Sequence, residues 1–472
     1  MRAIGLLFVL TAAAFAADAV SFRSLMDLSK KPGAPEFKDA LINALHENAL
    51  DNGTAWMGEG TDFIWAVRTP GAHPSLEVDG KPRPSMKRIP GTDIWFATGS
   101  VSPAGKLHFF EYKVDGKQFG GNTQAATTDY TKAVEIPVFG PDSYPHPGVP
   151  QGKLSEKLTF TSKLYDGMTN DYWIYVPAQY DANTPAALMV FQDGQGYVNR
   201  DSPRNRTLDV LDNLIAQKKI PVMIGVFISP GQLSNPDSPM YKELMQRAAS
   251  RRGRGGRGPN AAANSAVAAN SGPRPFPLRS IEYDTVNDTY ARYLRDELLP
   301  EVYKKYNIRR DAYSRGITGS SSGGICALNV AWQQPDQFSR VITWVGSYTS
   351  IQWHSNQLDG GEAYPAKVRR EPKRNIRIWL QDGANDLENQ FGSWPLQAIQ
   401  MANSFKLREY DFHFSFGGGT HNGLQGSVEF PAEMSWLWRD YDPAKTEQTY
   451  TMDEAEKSKP FFRVVSLNRP TD

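Results

Sequence analysis

The sequence predicts an α/β protein: a mostly parallel sheet with helices on both faces, preceded by a small all-β sandwich. Three observations carry this prediction. From Gly152 onward, short apolar runs (Ala187 to Phe191, Val222 to Ile228, Val341 to Val345, Ile376 to Leu380, Phe412 to Phe416) alternate with helical runs (Leu208 to Ala216, Tyr290 to Tyr306, Ile325 to Trp332, Pro395 to Leu407). Strands buried on both faces read as such continuous apolar text. Between Thr54 and Val138 the pattern is instead alternating, in segments cut by Pro70-Gly71, Asp79-Gly80 and Asp115-Gly116, the spacing of a small sandwich. Finally, Gly316 to Gly324 sets a Gly-x-Ser-x-Gly turn between a strand and a helix.

Taken in order, residues 1–17 read as a secretory signal peptide. Arg2 precedes the apolar run Ile4 to Leu10, and Ala14-Phe15-Ala16 offers the small residues of a cleavage site. The run is too short to span a bilayer comfortably, so the mature chain is expected to be secreted or periplasmic, with no membrane attachment. Residues 18–53 form a helical segment, with Phe37, Leu41, Ala44 and Leu45 on one face. The sandwich covers 54–139. Residues 140–151 hold four prolines and serve as an extended linker. The α/β domain covers 152–445 and begins with a hairpin about Asp166-Gly167. Within it, 247–272 is an Arg/Gly-rich and then Ala/Asn/Ser-rich insertion, expected to be a disordered surface loop. A tail covers 446–472.

Composition excludes several classes. Lys plus Arg number 52 and Asp plus Glu 51, for a net charge of +1. A nucleic-acid partner is not expected, because phosphate binding needs an excess of cations. Cys326 is the only cysteine, which excludes an intrachain disulfide and a Cys-cluster metal site. It reads as a small buried hydrophobe. The 11 Trp and 20 Tyr suit core packing and also the binding of flat rings such as sugars or phenols.

The chemistry centres on Ser321, which alone among Ser320, Ser321 and Ser322 has glycines two residues before and after it. A sharp strand-to-helix turn exposes such a hydroxyl at the carboxyl end of a sheet and sets free helix N–H groups beside it. Serine needs a base. Of seven histidines, His421 stands in a glycine-rich loop just after the last strand, where a base reaches the elbow. His354, beside Trp353, stays in competition, whereas His413 alternates within a strand and reads as packing. The carboxylate that orients the base is expected at Asp386, past the Gly383 turn, with Asp382 and Glu388 as rivals. The order Ser321, Asp386, His421 is that of α/β-hydrolases. An oxyanion site would take the N–H of Ser322 and that of Gly194 or Gln195, at the end of an earlier strand. Trp353, Trp394, Trp436 and Trp438 are candidates for shaping a substrate pocket. Arg279 and Glu282 read as an ion pair, with Arg279 also a candidate substrate contact. No metal or other cofactor is required.

The text Asp193-Gly194, Arg279-Ser280-Ile281-Glu282-Tyr283-Asp284, Glu297-Leu298-Leu299-Pro300, Gly319-x-Ser321-x-Gly323-Gly324, Asp382-Gly383-x-x-Asp386 and His421-Asn422 resembles the esterase family that includes enterochelin esterases, esterase D, and the feruloyl and acetyl-xylan esterases. The resemblance covers roughly residues 155–440. It implies carboxylic ester hydrolysis through a serine acyl-enzyme without a metal, with Asn422 near the substrate. The N-terminal unit resembles the immunoglobulin-like domain that precedes enterochelin esterases, and Tyr112-x-Val114-Asp115-Gly116 is similar to glycogen-binding relatives of that domain. The expected substrate is an acyl or feruloyl ester of a carbohydrate, small or attached to a polysaccharide. The alternatives are a siderophore trilactone, acyl transfer, and non-catalytic carbohydrate binding. The arginine-rich insertion departs from the family pattern.

Overall fold

The computed structural model describes residues 20–122, 133–252, 275–352 and 360–464. The expected signal peptide therefore lies outside the described residues, as do most of the 247–272 insertion, Trp353 and His354. The chain divides into two compact units, with the switch from the first to the second completed at Glu135.

In the first unit, Ala55–Glu59, Asp62–Arg68, Ile94–Ser100 and Lys87–Arg88 pair as one antiparallel sheet, and Lys81–Pro82, Ser75–Val78, Lys106–Val114 and Lys117–Phe119 belong to another. The helices Phe22–Leu28, Pro35–Leu45 and Glu47–Asp51 precede them. Alternation decides which side chains face these helices: Ile64, Ala66 and Phe96 share a core with Leu25, Phe37, Leu41 and Leu50. The other parity of the same strand, Phe63, Trp65 and Val67, is buried too, so both faces of this sheet are covered.

The second unit is built on an 11-stranded sheet. Its main strands are β1 (Thr169–Val176), β2 (Ala187–Gln192), β3 (Met223–Ile228), β4 (Arg315–Ser320), β5 (Arg340–Trp344), β6 (Arg377–Asn385) and β7 (Asp411–Thr420). Their spatial order is β1-β3-β2-β4-β5-β6-β7, antiparallel between β1 and β3 and parallel thereafter. Helices α1 (Thr207–Ala216), α2 (Ser322–Gln333), α3 (Trp394–Leu407) and α4 (Leu424–Leu437) connect or follow these strands. Residues of one parity along β2, such as Leu188 and Val190, join one large core; those of the other, Ala187, Met189 and Phe191, join a second core. Two buried faces leave no polar position on such strands, hence their uniformly apolar text.

Three details differ from the sequence reading. The single helix expected from Tyr290 to Tyr306 is three pieces, with a π-helical turn at Tyr293–Leu298 between Thr289–Arg292 and Leu299–Tyr303. Pro300 has no N–H to give to the preceding turn, which disfavours regular α pairing there. The helix Pro239–Arg252 runs into the segment expected to be an insertion, where Ala248 and Ala249 favour helix. Arg279 and Glu282 do not pair. Glu282 is buried on Asn170 and the Gly231 N–H, and Arg279 takes another partner, described below.

Candidate active site

β4 runs buried between β2 and β5 and ends at Ser320, one residue before Ser321. Here the backbone adopts φ 59° and ψ −122°, a conformation that costs a non-glycine residue about 1–3 kcal/mol. The turn closes so tightly that a Cβ on Gly319 would stand 2.3 Å from the Gly323 carbonyl oxygen, which only glycine tolerates. Two backbone bonds brace it: Ser321 N–H donates to Trp344 O at 2.9 Å, and Ser347 N–H to Ser321 O at 3.1 Å. The Ser321 hydroxyl is thereby held at the carboxyl edge of the sheet, beside the first turn of α2.

β7 ends one residue before His421, and β6 leads into Asp386. The structure brings the three groups together. His421 Nε2 lies 2.8 Å from Ser321 Oγ, and His421 Nδ1 lies 2.6 Å from Asp386 Oδ1. An ionised carboxylate only accepts, so Nδ1 carries the proton and donates it to Asp386, leaving Nε2 to accept from the Ser321 hydroxyl. The same Asp386 oxygen accepts the Leu387 N–H at 2.5 Å. Side-chain exposure falls from 16% at His421 to 0% at Asp386, so water does not compete for the carboxylate. Of the rivals, Glu388 is exposed and Asp382 is buried on the Gly383 N–H. His413 stacks on Trp379 with centroids 4.0 Å apart, as packing.

The expected oxyanion donors stand at the starts of two short elements. Gly194 and Gln195 open a 3₁₀ turn (Gly194–Gly196) after β2, and Ser322 opens α2. First-turn N–H groups have no acceptor within their own helix. The two elements are neighbours: a Cβ on Gly323 would lie 3.0 Å from Asp193 Oδ2. Asp193, at φ 56°, begins the 3₁₀ turn. Its carboxylate accepts both arms of a guanidinium fork from Arg279, Nε to Oδ1 and Nη2 to Oδ2, each 2.7 Å. Burial opposes the Arg279 charge, but the Asp193 fork prevails and raises the guanidinium above its ordinary value.

Other expected residues take different posts. Asn422, expected near substrate, gives its amide protons to Glu135 and Thr420 and accepts the Leu424 N–H, so it anchors its own loop. Trp394 is buried and meets His421 edge-on at 5.4 Å, bracing the imidazole. Trp438 packs beneath the buried Arg340 and Trp436 against Arg439, both away from the elbow. Two residues escaped the sequence reading. Glu135, buried, accepts the Thr420 N–H at 2.6 Å as well as the Asn422 amide; its signal was an acid inside the apolar run Val134-Glu135-Ile136. Ser347 Oγ lies 3.3 Å from Ser321 Oγ, and nothing in the local text marks it. A cavity of about 560 Å³ opens beside Gln195 and Arg279, lined also by Trp173, Asp171, Gln232 and Lys157.

A strained serine elbow on a parallel sheet, facing a histidine and a buried aspartate, defines an α/β-hydrolase of the carboxylic ester hydrolase class. Residues 273–426 match the family described as "Putative esterase". Among solved structures it is similar to the enterobactin esterase from Shigella flexneri in the presence of enterobactin (16% identity over 87% of this chain and 99% of that chain, TM-score 0.48). It is also similar to the ferric enterobactin esterase from Salmonella typhimurium (15%, 81% and 96%, TM-score 0.47). A ferulic acid esterase from Anaeromyces mucronatus in complex with ferulic acid matches at 14% over 63% of this chain and 94% of that chain, TM-score 0.41. No curated protein matches the chain.

Proposed function

We propose that the protein is an exported serine esterase that hydrolyses acyl or aromatic esters of carbohydrates, with Ser321 as nucleophile, His421 as base and Asp386 as its orienting carboxylate. The observation that carries this reading is the pair of contacts at His421, 2.8 Å to Ser321 Oγ and 2.6 Å to Asp386 Oδ1. Ser321 Oγ attacks the ester carbonyl while its proton passes to His421 Nε2. The carbonyl oxygen, now an anion, accepts the N–H groups of Ser322 and of Gly194 or Gln195. His421 then gives its proton to the leaving alcohol, and the C–O bond breaks to leave an acyl-Ser321. Water, deprotonated in turn by His421, attacks the acyl carbon; the acyl–Oγ bond breaks to release the acid, and His421 returns the proton to Ser321 Oγ. Asp386 stays ionised and stabilises the imidazolium.

Support for a sugar-bearing leaving group comes from the cavity beside Gln195. Its lining joins the Trp173 ring with the side chains of Asp171, Gln232 and Lys157, a mixture of flat apolar surface and hydrogen-bonding groups suited to a pyranose. Export rests on the amino-terminal text Met1 to Ala17.

The test is hydrolysis of p-nitrophenyl acetate and methyl ferulate by wild type and Ser321→Ala, followed by a panel of feruloylated xylan, acetylated xylan and enterobactin. Full activity of Ser321→Ala would remove the mechanism. Preference for enterobactin over both xylans would replace the carbohydrate reading with the trilactone one.

A further inference from the structure

The strand that delivers Asp386 carries a second carboxyl that the mechanism leaves unused. Asp382 is 0% exposed, near the carboxyl end of β6. Its Oδ1 accepts the Gly383 N–H at 2.7 Å. Its Oδ2 is buried and has no hydrogen-bond donor in reach. Asp386 shows the same asymmetry: Oδ1 accepts both His421 and Leu387, whereas Oδ2 is buried with no donor. The turn between them, closed by the Asp386 N–H on Gly383 O at 3.1 Å, sets the two side chains within hydrogen-bonding reach of each other. Two ionised carboxylates present four acceptors and no donor, so as ions they could only repel. A single proton between them satisfies both orphaned oxygens.

The surroundings decide which group holds that proton. The titratable groups facing Asp382 are Asp386 and, past the end of β5, the buried Tyr348. β7 sets Phe416 and Gly417 opposite this stretch of β6. Among the described residues, no Lys or Arg acts on Asp382. Asp386 receives two N–H donors, both on one oxygen, whereas Asp382 receives one. Burial first, and the Asp386 charge second, push the Asp382 carboxyl far above the usual carboxylate range.

We propose that Asp382 is a positioning residue that holds the proton shared by the two carboxyls and donates a hydrogen bond from its carboxylic O–H to Oδ2 of Asp386. The inference rests on the reading of Asp386 as the carboxylate that orients His421. The donated bond fixes the Asp386 rotamer, turns Oδ1 toward the imidazole and withdraws part of the anion's charge from His421.

The experiment is the pH profile of kcat/KM on p-nitrophenyl acetate for wild type, Asp382→Asn and Asp382→Ala, with difference infrared spectra of the full-length proteins. Asparagine keeps a neutral donor toward Asp386 and an acceptor for Gly383. It is expected to keep the acid limb in place and to recover about tenfold or more of the kcat lost by the alanine variant. In the alanine variant the limb moves to higher pH, because Asp386 bears its full charge toward His421. A protonated-carboxyl band present in wild type at pH 7 should vanish in Asp382→Asn. The proposal is overturned if that band is missing, if Asp382→Asn moves the acid limb to lower pH by about one unit or more (the loss of a negative charge), or if Asp382→Asn fails to fold. Failure of the Asp386 reading looks different: Asp386→Asn would keep wild-type kcat, whatever the infrared band shows.

Discussion

The carboxylate of Glu135 accepts the backbone N–H of Thr420 at 2.6 Å, joining two positions 285 residues apart. Thr420 is the last residue of β7, and His421 follows it. Glu135 also accepts from the Asn422 side-chain amide, so one buried side chain holds the backbone just before the imidazole and the side chain just after it. Loss of that clamp lets the ring drift, and a misplacement of about 1 Å costs catalysis about 10²-fold. Glu135→Ala is expected to lower kcat on p-nitrophenyl acetate by about that factor with KM little changed, as steady-state kinetics will read. An unchanged kcat would make the clamp merely structural.

Ser321 separates stability from activity. Its φ of 59° suits glycine, so Ser321→Gly should unfold at higher denaturant than Ser321→Ala, by about 1 kcal/mol, although both lack the hydroxyl. Both variants should lose about 10⁴-fold or more in kcat, since nothing replaces the nucleophile. Urea melts and single-turnover assays on the same preparations check both halves.

Arg279 touches the Asp193 carboxylate with two arms, and Asp193 begins the turn that carries Gly194 and Gln195. Lysine brings one point charge and cannot reproduce the fork. Arg279→Lys should lower kcat by about tenfold and Arg279→Ala by about 10²-fold, through a loosened oxyanion turn. A rise confined to KM would instead make Arg279 a substrate contact.

Asp284 predicts a pH-dependent stability. Burial raises its carboxyl to about 6, against an ordinary 3.8, in spite of hydrogen bonds from Ser280 and Ser322. In this window the folded state binds more protons than the unfolded one, so Asp284's contribution falls as pH rises from about 4 to about 6 and is fully unfavourable above that. Asp284→Asn should flatten the curve there and be more stable than wild type at pH 7 by about 1–3 kcal/mol. Thermal melts at pH 4, 5, 6 and 7 measure it; equal slopes for both proteins would refute it.

The elbow was legible because its chemistry is local. Gly319, Ser321 and Gly323 lie within five residues, and the glycines are required by contacts inside the turn itself. His421 and Asp386 were legible for a related reason, since each follows an apolar run that could only be a buried strand. The ion pair of Arg279 was misread as one with Glu282, three residues away, whereas the partner, Asp193, comes from a strand end 86 residues earlier. Asn422 was misread as a substrate contact because its motif does not reveal that Glu135 occupies its amide.

By itself the sequence determined the layered α/β architecture, the serine elbow and the order of the three proposed catalytic residues, because periodicity, turn sterics and strand ends are properties of neighbouring residues. Only the tertiary structure decided which carboxylate meets the imidazole, which buried acid holds its loop, and that Asp382 and Asp386 face each other with one unsatisfied oxygen apiece. Those outcomes depend on distances of a few ångströms between segments brought together by burial of the sheet, and such distances are set by the packing of the whole core rather than by any stretch of chain.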